Sequence, residues 1–343
     1  MSKRIFSIVL SLIFIFNLTV SGCAPKITGP QVRIENDVPL IGFGIGTTGG
    51  KDGEIVIVNT YTAFYEAIKD DTPRIVLVDG TISWDESLAP TYSNILYVGS
   101  NKSILGLNEG ATIDGLTLRI GSSGSSKSNI VIRNIIFDNA PDDNITIQYT
   151  STQVWIDHCT FKTAGDDNVD IVRQSDKITL SWNIFEHPVA GKGASIVGNS
   201  DSMIEDDQYL NVTYHHNWFK GTSGRNPRVR WGHIHIFNNY FENNTNGPTS
   251  TTYAETVIER NYFYNVSTPT SITAGTSPQG YIILVKDENN VDTNIYEICG
   301  TPVENLPEKI TPIPYQYTPD DAVYIPDIVK NKGGAGKIII KYE

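Results

Sequence analysis

The chain has 343 residues, enough for one large core or two ordinary domains, and a formal net charge of −12. That acidic balance argues against nucleic acid, or any other polyanion, as a non-specific partner. Only 19% of the residues are charged, against roughly 25% in an average soluble protein, while Asn, Thr, Gly and Ile abound. A β-rich, loop-rich extracellular chain fits better than a helical cytosolic one.

Taken in chain order, the first element is a targeting segment. Lys3 and Arg4 precede the apolar run 5–16, which is too short to span a membrane, and the run ends in Val20-Ser21-Gly22-Cys23. Residues 1–22 read as a secretory signal whose end resembles a bacterial lipobox, with Cys23 as the lipidated new amino terminus. The expected product is a secreted cell-envelope lipoprotein on the outer face of a bacterial membrane, touching that membrane only through its lipid. Residues 23–40 read as a tether and residues 41–343 as one domain. Removing residues 1–22 takes away two cations and no acid, so the mature net charge falls to −14. Cys159 and Cys299 then remain, too few and too far apart for a disulfide framework. Cys159 is expected as a buried filler and Cys299 as unpaired.

Residues 60–69, TYTAFYEAIK, form the best helical stretch. Thr60 suits an N-cap, and Phe64, Ala67 and Ile68 share one face. Beyond it, one pattern recurs: a β-branched strand, a polar or Asn position, then an aromatic. It ends at Phe137, Phe161, Phe185, Phe219, Phe241 and Phe263, with spacings of 24, 24, 34, 22 and 22 residues. A period of this length leaves no room for long helices and fits a solenoid of short strands. Stacked coils would align the Phe rings into one column. Asn183, Asn217, Asn239 and Asn261, each two residues before a Phe, would form an amide ladder at a turn. The 34-residue interval carries an insertion, where a functional loop is expected. A solenoid must cap its open ends, a role suited to the 60–69 helix. The Pro-rich stretch 302–326 is expected to wrap along the outside without regular structure.

The acids and arginines carry the chemistry. Asp166 and Asp170 span a turn and the start of a strand, and Asp142-Asp143-Asn144 lies one repeat earlier. Two adjacent coils can therefore present carboxylates on one face, as a Ca²⁺ ion requires. A basic cluster follows in RNPRVR, with Arg225, Arg228 and Arg230, and Arg recognises carboxylates through paired donors. Strand alternation leaves open whether Arg228 faces the site. Asp157 and His158 look like half of a catalytic triad, but no activated Ser follows, so a hydrogen-bonding role is expected. His233 and His235 alternate on one strand without a third metal ligand and read as stack residues.

The motifs GFG at 42–44, TTGG at 47–50, RIVLVDGTI at 74–82, SILGLNEGATIDGLTLRI at 103–120, VWIDHCTF at 154–161 and RNPRVRWGHIHIFNNYF at 225–241 resemble those of the pectate lyases. The resemblance runs from Gly42 to about Asn265. It implies an all-β right-handed parallel β-helix with an N-terminal capping helix. It also implies Ca²⁺-dependent cleavage of polygalacturonate, a pectic polysaccharide, by β-elimination. By match to the family motifs, Arg225 would be the catalytic base, and Arg230 and Lys192 in GKGASIVG would bind substrate, with Arg228 of the same basic cluster as a further substrate-binding candidate. Asp142, Asn144, Asp166 and Asp170 would hold Ca²⁺, although relatives often carry Asp where this chain has Asn144. A monomer is expected. Three other readings remain: a lyase for methylated pectin, a hydrolase on the same fold using paired carboxylates, and a non-catalytic β-helix that captures pectic chains.

Overall fold

A computed structural model describes residues 31–89, 91–189, 191–273 and 279–343. The signal segment 1–22 and Cys23 lie outside the described residues. Residues 32–343 form one compact unit.

Alternation of β-branched and polar residues gives short strands, and the recurring turns set them in register. Three parallel sheets of ten, nine and eight strands make the walls of a right-handed coil, each coil adding one strand to each wall. One coil runs through Ser128–Arg133, Ile135–Asp138 and Ile145–Ile147, and the next through Thr152–Asp157, Thr160–Phe161 and Val169–Ile171. Inward residues of the ten-stranded wall, such as Ile130, Ile132, Val154, Ile156, Ile178 and Leu180, are wholly buried. They fill the interior of the cylinder.

The expected columns are present. The rings of Phe137, Phe161, Phe185, Phe219, Phe241 and Phe263 stack with centroids 4.6–5.2 Å apart, and Tyr296 extends the column at 5.1 Å. Beside them Asn183 donates to Asn217, Asn217 to Asn239, Asn239 to Asn261 and Asn261 to Asn294, at 2.9–3.0 Å. Cys159 takes the ladder position below Asn183, its backbone N–H donating to the Asn183 Oδ1 at 2.9 Å. It is fully buried, and burial pushes its thiol up to about 12. Cys299 is also a free thiol.

Helix α1 (Tyr61–Ile68) starts at Thr60, whose hydroxyl accepts from the Ala63 N–H. It buries Phe64, Ala67 and Ile68 against the first coils, as a cap should. The Gly-rich stretch 42–50 crosses the outer face of the ten-stranded wall. Its backbone N–H groups donate to Thr213, Thr179, Asn129 and Ser103. A Cβ on Gly49 would lie 2.2 Å from Ser103 Oγ, so glycine is required for that approach.

The carboxy-terminal segment lies along the outside, running back toward the first coils. The Tyr315 hydroxyl bonds to Thr213 and His235, Tyr317 donates to Glu259, and Asp320 reaches His216 and Asn238. His235 is thus buried beneath this strap. The irregular path expected for 302–326 holds only in part, because helix α2 (Ile325–Lys332) begins at its end. Pro326 lies in the first helical turn, where its missing N–H costs nothing. Part of the expected tether is also structured: Val32–Glu35 pairs antiparallel with Ile339–Tyr342, with Val32 and Ile34 against a small apolar cluster. No helix among the described residues is long and apolar enough to cross a membrane.

Candidate active site

The eight-stranded wall carries the acids and arginines. Thr146, Asp170, Ile196 and Arg228 are register partners on four successive strands. Counting back three residues along each strand gives a second row of Asp143, Asp167, Gly193 and Arg225, at the turn leading into the sheet. Its neighbours hold that row together. The Asp167 N–H donates to Asp143 Oδ1 at 3.1 Å and the Gly193 N–H to Asp167 Oδ1 at 2.9 Å. A Cβ at Gly193 would lie 2.5 Å from the Arg225 nitrogen. The missing side chain lets Arg225 lie close over this coil and donate to Asp167 Oδ2, with Asp166 at 3.7 Å.

Of the predicted residues, Asp166, Asp170, Lys192 and Arg225 come together. Lys192 Nζ contacts Asp166 Oδ1 at 3.2 Å. Asp142 lies at the edge of the cluster, its carboxylate taken by Arg119 at 2.7 Å. Asn144 does not join. It is fully buried inside the coil, with its oxygen accepting from Asn168 Nδ2 at 2.9 Å and its own amide nitrogen aimed at the Thr163 carbonyl. Asp143 stands where Asn144 was expected. The reason is alternation: of adjacent residues entering a strand, one faces the core and the other the groove. Arg230 Nε binds Asp201 at 3.2 Å and its Nη1 the Gly198 carbonyl at 3.0 Å, while Arg228 Nε is buried without a partner.

The electrostatics follow from crowding. Burial, and then the charges of Asp143 and Asp167, hold the Asp170 carboxyl well above the usual range, although Arg225 opposes this. Burial also pushes Asp143 up to about 7 against a hydrogen bond from Thr146. For Arg225, burial disfavours the charge, but the bond to Asp167 and the charges of Asp167, Asp166 and Asp170 together outweigh it and raise the pKa. Burial, together with the charges of Arg228 and Arg225, lowers that of Arg230.

Among the described residues no three His, Cys, Asp or Glu side chains form a ready-made metal cage. The donor chemistry nevertheless suits a hard cation. Asp170 Oδ1 is buried with no hydrogen-bond partner, in a cluster of carboxylates that oppose one another's ionisation. Asp143, Asp166 and Asp170 are the side chains that could hold such an ion. Asp143 and Asp170 open into a groove of about 540 Å³ that also exposes Arg119, Tyr149 and Arg173.

Asp157 and His158 are apart from this groove. Asp157 is buried against Arg133, Ser181 and His158, and His158 stacks on Trp182. Both hold the coil together, as expected. The sequence reading missed Asp143 as a groove residue and Asp167 as the partner of Arg225. The signal was available in the DD pairs at 142–143 and 166–167, which recur at one coil's spacing.

A parallel β-helix that carries carboxylates and arginines in the same rows along one wall has the layout of a polysaccharide lyase. The family model for pectate lyases matches residues 41–338, and the chain belongs to that family. A pectate trisaccharide-lyase of Bacillus licheniformis is 32% identical over 96% of this chain and 98% of its own length. A protein of the same name from Thermotoga maritima is 34% identical over 70% of this chain, the match spanning 64% of that protein's length. A pectate lyase of Bacillus sp. N165, solved in complex with trigalacturonate, superposes with a TM-score of 0.72. It is 27% identical and covers 87% of this chain and 99% of its own.

Proposed function

We propose that this protein cleaves unesterified polygalacturonate by Ca²⁺-dependent β-elimination, leaving unsaturated oligogalacturonides. The observation that carries the reading is the row Asp143, Asp167, Gly193 and Arg225, in which an arginine reaches across a glycine toward acids two and three coils earlier. The trigalacturonate bound to the Bacillus sp. N165 relative supports the choice of substrate.

In this reading Arg225 accepts the proton from the carbon bearing the uronate carboxylate. The electron pair forms a double bond to the neighbouring carbon, and the glycosidic oxygen leaves with a proton from water. Guanidinium holds its proton tightly, and the bond to Asp167 tightens that hold. Arg225 therefore becomes a usable base only as Asp166, Asp167 and Asp170 are compensated by other charge. Ca²⁺ held by Asp143, Asp166 and Asp170 would supply electrophilic stabilisation of the developing enolate. Arg230, Arg228 and Lys192 bind uronate carboxylates and fix the sugar over Arg225.

The protein acts as a monomer, secreted and held to the outer face of the membrane by lipid on Cys23. Cys23→Ala should release it to the soluble fraction. The decisive assay follows ultraviolet absorbance of the new double bond during digestion of polygalacturonate, with Ca²⁺ and then with chelator. Reducing ends formed without absorbance would indicate hydrolysis and sink the lyase reading.

A further inference from the structure

The groove continues past the acid cluster. Tyr97 and Arg119 extend the row of Thr146 and Asp170 by two more strands toward the amino-terminal cap. At about 4.8 Å per strand, Tyr97 lies about 14 Å beyond Asp170 along the cylinder. A second hollow of about 550 Å³ opens there, and it shares both Tyr97 and Arg119 with the groove over the acids. Its walls are aromatic. The Tyr92 ring packs edge-on against Tyr61 and Tyr65 at 5.4 and 5.5 Å. Lys69 sits 5.2 Å from the centre of the Tyr65 ring. Tyr97 is 47% exposed on the first strand of the eight-stranded wall, with its ring turned out between the two hollows.

We infer that this hollow is a distal binding site for uronate residues of the same polysaccharide strand whose cleavage was proposed above. Tyrosine rings cover the apolar face of a pyranose, and Lys69 and Arg119, although paired with Glu66 and Asp142, keep further N–H donors for its carboxylates. Neither feature serves the chemistry at Arg225. Both serve a chain that runs along the cylinder and gains affinity from its length. The site would favour long, unesterified chains and set how many sugars extend from the cleaved bond on this side.

The inference rests on the pectate lyase reading, and the test separates the two. Steady-state kinetics on tri- to octagalacturonate compare the parent with Tyr97→Ala and Lys69→Gln, both at exposed positions, with thermal melts to verify folding. The ratio of kcat/KM for octamer over trimer should fall about tenfold in Tyr97→Ala, through KM. An active parent whose ratio is unchanged in both variants overturns the inference. A parent inactive on every substrate fails the lyase reading instead. Calorimetry of octagalacturonate binding then decides the site: weaker binding in Tyr97→Ala supports it, and equal binding overturns it.

Discussion

Replacing Asp143 by Asn tests the acid cluster through stability. The side chain is largely buried, accepts from the Asp167 N–H and the Thr146 hydroxyl, and has its carboxyl pushed up to about 7. An acid whose pKa is higher folded than unfolded binds its proton more tightly in the folded state. Stability is therefore fullest below the unfolded value of 3.8 and is lost as pH rises toward about 7. Above that, the ionised group weakens the metal-free fold by up to about 4 kcal/mol. The introduced amide would keep the bond from Asp167, and the Thr146 hydroxyl can rotate to accept from its NH₂ group. In chelator at pH 8 the variant should melt several degrees above the parent, and near pH 4 the two should converge. Added Ca²⁺ should raise the parent's melting temperature, by about 2.7 kcal/mol of stability at a hundredfold excess over Kd, and the variant's by much less. A variant less stable than its parent in chelator at pH 8, with an undiminished Ca²⁺ response, would refute the reasoning.

Arg225→Lys should lower kcat on polygalacturonate by about 10²–10⁴, as loss of a positioned base does, with a smaller effect on oligomer affinity by calorimetry. Because Asp167 raises the pKa of Arg225, the parent's kcat/KM should climb steadily above pH 7; an acid optimum would remove Arg225 from that role. Asn217→Ala leaves the Asn183 N–H and the Leu180 carbonyl without their partner, so chemical denaturation should show a loss of about 3 kcal/mol. Cys159, with its thiol pushed up to about 12, should resist thiol reagents in the native protein and react once the chain is unfolded.

The fold was legible in the sequence because a solenoid writes its period into the chain. The Phe column and the Asn ladder follow from spacing alone, since stacked coils leave each equivalent residue only one place to go. The site was less legible because it depends on which of two neighbours faces outward. Asn144 and Asp143 differ by one position, and the register of a single turn sends one into the core and the other into the groove. The contact of Arg225 with Asp167 depends on Gly193, whose role lies in the side chain it lacks. Helix α2 was hidden because Pro326 reads as a breaker unless the helix is known to start there.

Solenoids are expected to come apart coil by coil, since each repeat touches only its neighbours. Here the two ends of the described chain are stitched together, Val32–Glu35 to Ile339–Tyr342, after the last residues have travelled back down the flank. Fraying of the amino-terminal coils, against which this seam packs, must therefore first undo a pairing that involves the opposite end of the polypeptide. Local openings of the first coils thereby become shared with the last strand of the chain.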